Sequence, residues 1–100
     1  MSWVKDALKE LRQGRAVQVR PIGGSMRGRI ESSQLVTLVP VDPAQIRIGD
    51  AVLVRWKGNF LLHLVTAIQG DRYEIGNNLG KINGTVAADD LLGMVTAVSD

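Results

Sequence analysis

The chain has 100 residues with twelve basic and ten acidic side chains, enough for one domain with a modest core. It has no cysteine, one histidine and four aromatic residues, so disulfides and thiolate metal sites are excluded. A near-balanced charge and scarce aromatics give no support for nucleic-acid binding by phosphate contacts or base stacking. The expected chain needs no metal or organic cofactor. No apolar run approaches the roughly 20 residues of a membrane span, and the N-terminus lacks a signal-peptide core. A soluble, cytoplasmic protein without an integral membrane segment is the expectation.

In chain order, Ser2 is placed to cap a helix over about Trp3 to Gln13, with Gly14 at its end. Trp3, Val4, Ala7, Leu8 and Leu11 share one face, and Lys5, Asp6, Lys9, Glu10 and Arg12 occupy the other. That face predicts docking on the domain; an interfacial membrane helix or a partner-binding helix is the rival. From Ala16 the pattern becomes β. Val17-Gln18-Val19-Arg20 alternates until Pro21 and Gly23-Gly24 interrupt it. Leu35 to Val39 reads as a strand closed by Pro40 and Pro43. Ile48-Gly49-Asp50 turns into a third strand, Ala51 to Trp56. Lys57-Gly58-Asn59 is a hairpin turn, and Phe60 to Ile68 the fourth strand. Arg72 to Ile75 follows, then a glycine- and asparagine-rich loop from Gly76 to Gly84. A turn at Asp89 to Gly93 precedes the last strand, Met94 to Val98. Short strands with regular turns predict a mainly β fold, an antiparallel sheet or partly closed barrel with one N-terminal helix.

Two residues carry chemistry. Ser25 stands in Gly23-Gly24-Ser25-Met26, where glycines permit a sharp turn and close substrate approach. His63 stands inside Phe60-Leu61-Leu62-His63-Leu64-Val65, sharing a strand face with Leu61 and Val65. A serine hydroxyl needs a base to take its proton, and histidine is the usual base near neutral pH. Taken singly, each has a bland reading: a turn serine, and a structurally satisfied histidine.

Their order and surroundings resemble the superfamily of type I signal peptidases and LexA-type self-cleaving repressors. The matching pieces are Ser25-Met26, Val39-Pro40, Ile48-Gly49-Asp50-Ala51-Val52, His63-Leu64-Val65, Gly76-Asn77-Asn78 and Gly93-Met94-Val95. They run from about Pro21 to Val98. The resemblance implies a LexA/signal-peptidase-type β domain and a serine peptidase in which Ser25 is nucleophile and His63 general base. It implies Asn83 or Asn77 as the group that orients the ring. Gly24, Met26, Arg27, Asn78 and Lys81 would line the substrate cleft, and the Ser25 N–H would face the oxyanion.

The departures bear on activity. Gly28 replaces a proline after Ser-Met, and Leu64 replaces the arginine that follows the base. Asn77 and Asn83 stand where the family has acids. In a Ser-His-Asp enzyme the aspartate-to-asparagine change costs about 10⁴-fold in kcat. Lys81 is a second candidate base, in the manner of Ser-Lys dyads, against its reading as a solvated loop lysine. Two functions follow: a small peptidase, active or degenerate, acting on a peptide or protein; or a non-catalytic peptide-binding or assembly module on the same fold. Either allows an oligomer.

Overall fold

The structure, a computed structural model, describes residues 3–21, 30, 31 and 33–100. Helix α1 (Trp3–Arg12) buries Ala7, Leu8 and Leu11 and exposes Lys5, Asp6, Lys9 and Arg12. Its end is a Schellman motif. Gly14 takes φ 78° and donates to Leu11 O, while Arg15 N–H reaches back to Glu10 O. The expected cap, Ser2, lies outside the described residues.

Among the described residues seven strands follow: β1 (Val17–Val19), β2 (Leu35–Val39), β3 (Ala51–Trp56), β4 (Asn59–Gln69), β5 (Arg72–Gly76), β6 (Ile82–Ala87) and β7 (Leu91–Ser99). They form one sheet in the order β1-β2-β7-β3-β4-β5-β6, with every neighbour antiparallel. The fold is mainly β with one N-terminal helix. The sheet does not close, so β1 and β6 remain edges. It curls enough for Trp56, at the end of β3, to lie against Gly84 on β6.

Turn chemistry places the strands. Lys57 and Gly58 take φ 49° and 80°, as a two-residue hairpin turn with both φ positive requires. Asp42 accepts from Ala44 N–H and caps a short 3₁₀ turn, Pro43–Gln45, before β3. A second 3₁₀ turn, Ala88–Asp90, leads into β7.

Two expectations are corrected here. The turn expected over Asp89 to Gly93 ends at Asp90, because β7 already begins at Leu91. Gly76 to Gly84 is not all loop, because β6 begins at Ile82. Asn-Gly reads as a turn in sequence, but at Asn83-Gly84 it forms a bulge inside a strand. The register passes from Ile75↔Gly84 to Gly76↔Ile82 and leaves Asn83 without an opposite residue.

The core has two parts. Leu8 and Leu11 of α1 pack with Val19, Ile30, Val36, Leu38, Leu53 and Leu62. The other part gathers Val52, Val54, Val65, Tyr73, Ile75 and Val86. Alternation on β3 sends Ala51 and Leu53 into the first and Val52 and Val54 into the second. Gly93 lets the helix close on the sheet, since a Cβ there would meet Leu11 Cδ1 at 2.8 Å.

Candidate functional site

Ser25, with Gly24, Met26 and Arg27, lies outside the described residues. The flanks of that segment are described and well anchored. Pro21 and Ile30 are buried. Ser33 N–H donates to Pro21 O at 2.8 Å, and the Arg20 guanidinium donates to Ser33 O at 2.9 Å. Ile30, five residues after Ser25, belongs to the same buried cluster as Leu62, the neighbour of His63.

His63 sits in β4 opposite Val52 of β3 and is 5% exposed. Its strand face is apolar: Leu61 and Val65 on its own strand and Val52 and Val54 across from it belong to the second core cluster. A polar ring in such a place needs a partner. The partner is the preceding carbonyl, Leu62 O, 2.6 Å from Nδ1. A carbonyl only accepts, so Nδ1 carries the proton in this bond. In the neutral ring that leaves a lone pair on Nε2, the form in which an imidazole acts as a base. No sequence pattern could have identified this acceptor, because any residue supplies a backbone carbonyl.

The asparagines divide by task. Asn77 directly follows β5, one residue past the pair Leu64↔Gly76, and so continues the row of the sheet that holds His63. Its Oδ1 accepts from both Leu79 N–H and Lys81 N–H, each at 2.9 Å. Its own N–H donates to Lys81 O at 2.8 Å. Asn77 therefore closes the turn from β5 to β6, with Gly80 supplying the φ of 96°. Asn78 is exposed. Lys81 is exposed too, as a solvated lysine is. Asn83 stands at the β6 bulge, and among the described residues its buried Oδ1 finds no hydrogen-bond donor. His63 lies in the middle of β4, while Asn77 and Lys81 flank the turn from β5 to β6, one and two strand spacings of about 5 Å away, and Asn83 is two strands from β4.

The Gly-Asp turn before β3 has a structural task. Gly49 takes φ 97° and donates to Val65 O. The Asp50 carboxylate accepts from Arg47 N–H at 2.8 Å, and Asp50 O accepts from Val65 N–H. The turn therefore clips onto β4 two residues from His63 and fixes where that strand sits.

Three large apolar side chains near these turns face solvent. Ile48 is 66% exposed, Leu79 65% and Ile82 48%. Ile48 precedes the Gly49–Val65 clip, Leu79 rides on the Asn77 turn, and Ile82 opposes Gly76. Among the described residues no group of acids, histidines or cysteines could hold a metal ion, and no helix is long and apolar enough to cross a membrane. Comparison with protein-family models, curated proteins and solved structures finds no match to the chain.

Proposed function

We propose that this chain is a small serine peptidase-like hydrolase that acts on peptide bonds through Ser25 and His63 on a LexA/signal-peptidase-type domain. The observation that carries the reading is the state of His63. A buried imidazole with Nδ1–H fixed on a carbonyl has its orientation and tautomer set and, in the neutral ring, carries its lone pair on Nε2. The Ser25 hydroxyl would give its proton to Nε2 as Oγ bonds to the substrate carbonyl carbon. The oxyanion so formed would take a hydrogen bond from the Ser25 N–H. Nε2–H would then protonate the departing amine as the C–N bond breaks, and water would release the acyl group by the reverse sequence. The exposed Ile48, Leu79 and Ile82 offer apolar surface for contacts with a peptide substrate.

In this reading Leu62 O would take the orienting role that a carboxylate has in a full triad. A neutral carbonyl orients the ring but stabilises an imidazolium less than a full negative charge does, so slow turnover is expected. The same bond favours a second reading, a non-catalytic peptide-binding module, because a backbone carbonyl is also how a purely structural histidine is satisfied. Fluorophosphonate labelling separates the two. The peptidase reading expects labelling of wild type that is lost in Ser25→Ala and in His63→Gln. A folded wild type that does not label removes it and leaves the binding module.

A further inference from the structure

Asn83 and Gly84 form the one Asn-Gly pair in the chain. Such a pair has intrinsic chemistry: the backbone nitrogen of the second residue can attack the side-chain amide carbon of the first. A side chain on the second residue hinders that attack, and glycine has none. Folded strands usually suppress the reaction by holding the backbone in a ladder and the amide in hydrogen bonds. Here both restraints are weakened at Asn83, while Gly84 stays paired with Ile75. The bulge leaves Asn83 with no opposite residue. Among the described residues its Oδ1 finds no hydrogen-bond donor. Among the described residues β6 is also an edge, with a ladder to β5 on one side only.

We propose that Asn83-Gly84 is a site of spontaneous deamidation, a modification that places a carboxylate on β6. The Gly84 nitrogen loses its proton to solvent base and bonds to Asn83 Cγ. The bond from Cγ to Nδ2 breaks, and ammonia leaves with a proton from water. The resulting succinimide adds one water at either carbonyl and opens to aspartate or isoaspartate. The net change is amide plus water to carboxylate plus ammonium, with no oxidation or reduction.

The fold distinguishes the products. Aspartate keeps the main-chain path. Isoaspartate inserts a methylene into the backbone beside Gly84, which has no slack because a Cβ there would meet the Trp56 indole at 2.5 Å. The aspartate form therefore keeps the Trp56 contact, and the isoaspartate form opens it. For the Ser25–His63 site the aspartate form supplies an acid at a position where the resemblance expects one. That consequence rests on the proposed function; the conversion itself does not.

The test ages the full chain, wild type and Asn83→Gln, in mildly alkaline buffer, with ion exchange and peptide mapping of the products. The expected result is a more acidic wild-type species carrying the mass change of an amide-to-acid exchange at Asn83. It should form several-fold faster than any change at Asn59, Asn77 or Asn78 and be absent from Asn83→Gln. If Asn83 survives in the folded chain and converts only in urea, or if Asn77 or Asn78 converts first, the proposal is overturned. Fluorophosphonate labelling of the purified acidic species is a separate readout. Conversion without faster labelling sinks the link to Ser25 and His63 while the modification stands.

Discussion

The indole of Trp56 presents its Cη2 edge to Gly84, three strands away in the sheet, so close that a single added methyl would reach Cη2 at 2.5 Å. Gly84 also takes φ 153°, a backbone conformation that side chains disfavour. Two independent demands thus select glycine at this position. Gly84→Ala should destabilise by about 2–4 kcal/mol, from overpacking and backbone strain together. Urea unfolding measures it. Pairing the change with Trp56→Leu should recover the steric share and leave the backbone share; full additivity of the two changes would show that the indole is not the obstacle.

Helix α1 is held by Ala7, Leu8 and Leu11 in the first core cluster. Leu8→Asp should destabilise by about 2–4 kcal/mol, through a lost apolar side chain and a buried charge. Unchanged stability with new affinity for liposomes would instead mark the helix as an interfacial element.

Arg15 donates to the Glu10 carboxylate at 2.7 Å, across the turn that ends the helix. That hydrogen bond, reinforced by the guanidinium charge, holds the Glu10 carboxyl below its ordinary value. A lowered carboxyl stabilises the folded state above its unfolded pKa, and the contribution is lost as pH falls through the folded pKa. The Glu10 titration midpoint, followed by NMR, should rise in Arg15→Ala, and the acid limb of the stability profile should lose its Glu10 component. Both groups face solvent, so added salt should shrink the difference.

Two substitutions separate the asparagines. In Asn77→Asp the carboxylate can still accept from Leu79 N–H and Lys81 N–H, so the turn should survive. In Asn83→Asp the charge arrives at a buried oxygen with no donor among the described residues. Stability should fall for Asn83→Asp and hold for Asn77→Asp, as measured by thermal unfolding. Labelling by fluorophosphonate should rise for Asn83→Asp if its carboxylate reaches the histidine, by up to orders of magnitude given the cost of the reverse change in a working triad. No gain in either folded variant would make the binding module the better reading.

The elements with strong local signals were legible in the sequence. Gly14 ended the helix as a C′ glycine does, and Lys57-Gly58 turned β3 into β4. What escaped was non-local. β6 was hidden because Asn83-Gly84 carries a turn signal that the neighbouring strand converts to a bulge. The task of Asn77 was hidden because an Asn that closes its own turn and an Asn that orients a distant ring have the same sequence signature. The pairing of His63 with Leu62 O was invisible, since the acceptor belongs to the main chain. The burial of His63 with Leu61 and Val65 on its face followed from simple alternation.

Strand β3 is buried on both sides, from Ala51 through Val54, and its alternate residues serve opposite clusters. It acts as a party wall between two rooms. The helix side and the bulge side cannot melt separately without exposing that wall, so this chain should lose both in one cooperative event. Amide exchange should be slowest at Val52, Leu53 and Val54, with the β1 and β6 margins opening first. Damage to α1 would then be felt as looser protection around His63 on the neighbouring strand, although the helix never touches that ring's face of the sheet.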